Sequence, residues 1–275
     1  MLYLDAITKN PSAQAQDGFP FNLPALKGLD ELRFERPVTF FIGENGSGKS
    51  TLIEAIAAGI NAVAVGAADI GRDPTLVAPR ALAKTFRFAR RHAPKTKLFF
   101  RAEDAFGFTK RVIENLAELE SDAQEMQRKF RDGSYGQKLA VGAVRGQKRA
   151  LEARYGANPD GYSHGETFLE ILKSRLVPGG LYLLDEPETP LSPIRILALM
   201  SLMKDCVDES CQFIIATHSP ILMAYPDAQI LEFSERGIHP VEWLDTEHVS
   251  ITRSVLADPE GFLRKVWWRE EEKGD

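Results

Sequence analysis

The sequence predicts an α/β fold built around a mainly parallel sheet, and three observations carry that expectation. Short apolar runs alternate with helical stretches along the 275 residues, the pattern of parallel strands joined by crossover helices. One run, Val38-Thr39-Phe40-Phe41-Ile42, stops at a glycine-rich loop that leads into a helix-forming segment. Another, Leu181-Tyr182-Leu183-Leu184, ends in two consecutive carboxylates.

The elements follow in order. Met1 to Arg36 contains three prolines and reads as strands and loops. Val38–Ile42 is β-branched and aromatic throughout, the composition of a strand buried on both faces. Leu52 to Ala57 suits a helix. Leu98-Phe99-Phe100, the run at 181–184, Phe213-Ile214-Ile215-Ala216 and Ile230-Leu231-Glu232-Phe233 read as further strands. Between the first and second of these, Val112, Leu116, Leu119, Ala123, Met126 and Phe130 recur in steps of three and four, the single face of an amphipathic helix about five turns long. One domain over 1–275 is expected, with a helical subdomain over roughly 104–175.

Composition excludes several classes. Thirty-four Lys and Arg against 39 Asp and Glu give a net charge of −5, so the chain is no polybasic coat for DNA. The two cysteines, Cys206 and Cys211, have no second pair, which excludes a disulfide framework and a four-cysteine metal site. The weakly polar stretch Ala55–Ala68 is too short and too mildly apolar to span a bilayer. The first residues lack a basic flank followed by an apolar core. A cytoplasmic protein is expected.

The chemistry concentrates in Gly43-Glu44-Asn45-Gly46-Ser47-Gly48-Lys49-Ser50-Thr51, which satisfies G-x-x-x-x-G-K-[ST]. Glycines let the backbone wrap phosphate with its N–H groups turned inward, and the helix that follows presents its positive end to the anion. Lys49 is expected on the β- and γ-phosphates and the Ser50 hydroxyl on Mg²⁺. A partner carboxylate belongs at the end of a neighbouring strand. Asp185 meets that need as the second metal group, and Glu186 is placed to take a proton from the attacking water.

Taken with Ala216-Thr217-His218-Ser219-Pro220, these motifs resemble the ABC-type ATPase family, and their wording is most similar to stand-alone members related to DNA-repair and chromosome-organising ATPase heads. The resemblance implies a P-loop fold with a mainly parallel central sheet flanked by helices, an antiparallel N-terminal β part and a helical subdomain. It implies that Ser163-His164-Gly165-Glu166, 22 residues before Asp185, is the family's signature, and that His218, 33 residues after Asp185, is its switch histidine. Glu188-Thr189-Pro190-Leu191-Ser192-Pro193 stands where the family has its D-loop. On the residues alone, Ser163 and Glu166 have capping-box spacing and mark a helix start; the resemblance makes that start a second anion site, serving the nucleotide of a second protomer.

There are departures. His164 replaces the first glycine of the signature. The glutamine expected after a central strand is missing, and Arg101-Ala102-Glu103 stands there, which brings Glu103 into range of metal or water. His92, His239 and His248 have no ligand spacing and are assigned nothing.

Arg80 to Arg101 holds eight Lys or Arg and no acid. The segment reads either as a contact for a nucleic-acid backbone or as a solvated face balanced by acids elsewhere. The function expected is Mg²⁺-dependent ATP hydrolysis by a homodimer that closes around ATP, with Lys49, Glu186 and His218 catalytic and with DNA or a separate effector protein receiving the output. The alternative is the nucleotide-binding subunit of a membrane transporter, which shares the motifs and requires a surface that docks on a membrane partner.

Overall fold

The computed structural model describes residues 1–13, 17–65, 70–71, 73–130, 132–155 and 164–271. The chain runs β1 (Leu4–Lys9), α1 (Pro24–Lys27), β2 (Glu31–Arg33), β3 (Val38–Gly43), α2 (Lys49–Gly59), β4 (Val63–Ala64), α3 (Val77–Ala83), β5 (Phe86–Arg90) and β6 (Lys97–Arg101). Three helices follow: α4 (Ala102–Lys129), α5 (Tyr135–Tyr155) and α6 (His164–Arg175). The remainder is β7 (Leu181–Asp185), α7 (Pro193–Asp208), β8 (Gln212–Ala216), α8 (Pro220–Met223), β9 (Gln229–Ser234), β10 (Gly237–Pro240), α9 (Glu247–Ala257) and α10 (Pro259–Glu271).

A seven-stranded sheet in the order β10-β9-β3-β8-β7-β6-β4 forms the centre. All its pairings are parallel except β9 with β10. Every residue of β3, β7 and β8 is buried, which is why these strands read as unbroken apolar runs rather than alternations. The alternation survives in where the side chains go. Phe41, Leu183 and Ile214 join a core shared with α2 and the N-terminal strands. Phe40, Leu184 and Ile215 join a second core, on the face covered by α6, α7 and α8.

The second sheet is antiparallel, in the order β2-β1-β5. The antiparallel β part is therefore not wholly N-terminal, because its third strand arrives from residues 86–90. Gln212, fully buried, fastens this part to the main sheet. Its carboxamide oxygen accepts from Tyr3 N at 2.7 Å and Leu4 N at 3.0 Å, and its nitrogen donates to Leu4 O at 2.9 Å.

The amphipathic stretch from Val112 is longer than its apolar spacing implies. It forms α4, 28 residues, or about eight turns, which lies against α5 as a helical hairpin. Val112, Leu116 and Ala123 are buried as the spacing requires. Phe130 is not: it stands at the C-cap, past the last helical turn, and is 42% exposed. The hairpin is clipped by Gln137, which donates to Gln127 O at 2.8 Å, and by a Lys148–Glu120 ion pair at 2.5 Å.

Candidate functional site

The parallel pairing sets the site. Phe41 of β3 lies beside Ala216 of β8, and Ala216 lies beside Asp185 of β7. The glycine-rich loop, the carboxylates and His218 thus emerge at the carboxyl ends of three adjacent strands, where open α/β sheets place their ligands.

The loop between β3 and α2 requires its glycines. Gly43 has φ +134°, and a Cβ there would sit 2.3 Å from Phe233 O on β9. Gly48 has φ +105° and caps α2 in the left-handed region. No L side chain takes these positions without strain. Lys49 is buried, and its ammonium donates to Gly43 O and Glu44 O, each at 2.8 Å. It is thereby aimed back across the loop's concave side. Burial lowers its pKa from the ordinary lysine value, and Glu186, Asp185 and Glu188 pull it back up. Ser47 Oγ is buried with no hydrogen-bond partner, an unmet donor on the loop wall.

Ser50 Oγ donates to Asp185 Oδ1 at 3.1 Å. Two hard oxygen groups at the rim of a phosphate loop match the needs of Mg²⁺, which takes few protein ligands and fills its octahedron with phosphate oxygen and water. That chemistry fits the metal expected from the sequence.

Glu186 follows directly at φ +50°, an uncommon conformation for a residue with a side chain. Its N–H donates to Ala216 O on β8 at 2.9 Å, extending the β7–β8 ladder by one bond, and its side chain is 43% exposed. Its Oε1 lies 3.8 Å from His218 Nε2. His218 is held from below by Glu188, whose Oε1 accepts from His218 N and Thr217 Oγ1, both at 2.7 Å. Burial raises the Glu188 pKa against those two bonds. Burial, and then the Lys49 charge, lower the His218 pKa, with Glu186 opposing.

Of the expected site residues, the structure brings together the loop 43–51, Asp185, Glu186 and His218. Ser163 lies outside the described residues. His164, Gly165 and Glu166 begin α6, but their side chains, like that of Glu103, also lie outside them. Arg101, beside the missing glutamine, is 6% exposed and locked in a buried ion cluster, 3.1 Å from Glu54 and 3.0 Å from Asp73. One residue of the site was missed. His248, on α9, brings its Nε2 to 3.2 Å from His218 Nδ1. Thirty residues separate the two and no local spacing signals the contact.

A cleft of about 670 Å³ opens alongside the loop, between Glu44, Asn45 and Pro24 on one side and Arg236, His239 and His248 on the other.

Two stretches of the chain match family profiles. Residues 22–134 match one described as "AAA domain", and residues 167–224 match "AAA domain, putative AbiEii toxin, Type IV TA system". The first match contains the phosphate loop; the second contains Asp185, Glu186 and His218. No curated protein is found to match this chain. Among solved structures it is similar to cbiO1 from Clostridium perfringens, part of the ABC transporter complex cbiONQ. That pair has 17% identity over 96% of this chain and 100% of the other, with a TM-score of 0.44. It is also similar to the SMC head domain from Thermotoga maritima, at 15% identity over 88% of this chain and 100% of that one, TM-score 0.41. Both likenesses are remote. No described helix is long and apolar enough to cross a membrane.

Proposed function

We propose that the chain binds Mg–ATP in the loop 43–51 and hydrolyses it as an ATP-closed homodimer. The observation that carries this reading is the convergence of the Ser50–Asp185 pair with Glu186 and His218 at the carboxyl ends of neighbouring interior strands. Lys49 and the inward N–H groups of the loop hold the β- and γ-phosphates, and Ser47 Oγ gains the partner it lacks. The cleft beside the loop takes the nucleoside. Mg²⁺ held by Ser50 and Asp185 would neutralise charge on the β- and γ-phosphate oxygens. Glu186 accepts a proton from water as the water oxygen bonds to the γ-phosphorus. The bond from phosphorus to the bridging oxygen breaks, and ADP leaves with that electron pair. His218 donates an N–H to the γ-phosphate.

In the dimer, the segment Ser163–Glu166 at the start of α6 would meet the partner's nucleotide, with helix-terminal N–H groups as donors. The output would pass to nucleic acid or to a separate effector. Support for nucleic acid is narrower than the eight cations between Arg80 and Arg101 suggest. Arg80 donates to Ile70 O and Asp73 O, Arg91 pairs with Asp5, Lys97 donates to Ile60 O, and Arg101 is buried. Lys84, Arg87, Arg90 and Lys95 remain exposed, at the C-cap of α3, on β5 and in the loop after it.

Glu186→Gln tests the mechanism. It should bind ATP yet hydrolyse it at least about a hundredfold more slowly, because an amide accepts no proton. Light scattering should then find the ATP-bound variant dimeric; a monomer would sink the closed-dimer reading. Hydrolysis by the parent with and without double-stranded DNA, at two salt concentrations, tests the recipient. Stimulation that fades with salt supports a phosphate-backbone contact, and indifference to DNA removes it.

A further inference from the structure

His218 is gripped by a residue that none of the nucleotide motifs contains. After β10 the chain makes one turn of 3₁₀ helix, Trp243–Asp245, and enters α9. Trp243 Nε1 donates to Pro220 O at 3.1 Å, tying this turn to the start of α8. Thr246 is fully buried; its hydroxyl donates to Trp243 O at 2.9 Å and accepts from Val249 N at 3.4 Å. Val249 is buried in turn. His248 lies between these two anchors, so its ring has little freedom, and its Nε2 stands 3.2 Å from His218 Nδ1.

Two proton arrangements with one N–H on each ring fit that distance. In the first, His248 Nε2–H donates to His218 Nδ1, and the His218 proton sits on Nε2, facing the Glu186 carboxylate 3.8 Å away. In the second, His218 Nδ1–H donates, and the His248 proton sits on Nδ1. His248 Nδ1 and His218 Nε2 are both buried with no hydrogen-bond partner, so each arrangement leaves one buried N–H without an acceptor and that count is even. The nearby charge is not even: the second arrangement turns the His218 Nε2 lone pair toward the Glu186 carboxylate, and the first turns an N–H toward it. The first arrangement is favoured on that ground.

We propose that His248 is a positioning residue. It fixes the His218 tautomer that carries N–H on Nε2, the atom facing the reaction, and so makes hydrolysis depend on where α9 lies. The inference rests on the role given to His218 above.

Nitrogen-15 NMR of histidine side chains and steady-state ATPase kinetics test it together, using parent, His248→Ala, His248→Gln, His218→Ala and the double variant. The parent should show His218 protonated on Nε2, and His248→Ala should show a mixture of tautomers. His248→Ala should lose about tenfold in kcat, the worth of one orienting hydrogen bond, with KM nearly unchanged. His248→Gln, whose amide can still donate, should recover much of the loss. In the His218→Ala background, His248→Ala should cost nothing further. A parent His218 protonated on Nδ1, or equal losses in both backgrounds, would overturn the proposal. So would full activity of His248→Ala beside an inactive His218→Ala. An active His218→Ala would instead strike at the role of His218 itself, and this proposal would fall with it.

Discussion

Two adjacent features of the site, Gly43 and His218, show how little room single residues have. A methyl group on Gly43 would press on a backbone oxygen that cannot swing away, at a φ that side chains avoid. Gly43→Ala should therefore lower stability by about 2 kcal/mol or more in a denaturant melt. Gly46→Ala, at φ +79° with nothing within 4 Å of the new methyl, should cost only the strain of about 1 kcal/mol. His218 makes a prediction about acid. Its folded pKa lies below its unfolded value, through burial first and the Lys49 charge second. Its contribution to stability is thus present above the unfolded histidine pKa, ~6.5, and is lost as pH falls through the lower folded value. Thermal midpoints measured at pH 7.5 and 5.5 should fall apart in the parent and draw closer in His218→Gln.

Among the elements, β6 illustrates what the sequence holds and what it hides. Its apolar centre, Leu98–Phe100, is legible as a strand because both its faces are covered, as are those of β3, β7 and β8. Its last residue is not legible in the same way. Arg101 sits in a run of eight cations and reads as one more of them, yet it is 6% exposed and its partners come from α2 and from the segment before α3. Removing one member of a buried ion cluster strands the others, so Arg101→Met should cost about 3 kcal/mol. Lys84→Met, on an exposed position, should cost within about 0.5 kcal/mol. The same contrast runs through the site. The loop 43–51 and Asp185–Glu186 are contiguous motifs on strand ends and can be found by spacing. The contact of His248 with His218 is made by two elements that meet only after the sheet is assembled, and short strands such as β4 and β10 carry too few residues to show a period.

For the whole molecule, ligand linkage gives the most direct check on the functional reading. A ligand that binds only the folded chain at a hundred times its Kd adds ~2.7 kcal/mol, which for a chain of this size is a rise in Tm of roughly 5 °C or more. Mg–ATP should raise the Tm of the parent and of Glu186→Gln alike, and Lys49→Ala should lose the rise. The margins of the central sheet have a further consequence. At one side stands β4, only two residues long; at the other stands β10, four residues ending in a proline. Neither rim presents a ladder long enough to template another chain's strand. Among the described residues, lateral growth of the seven-stranded sheet is closed at both sides, so addition of another chain's strand to that sheet is a poor route for this fold to go astray.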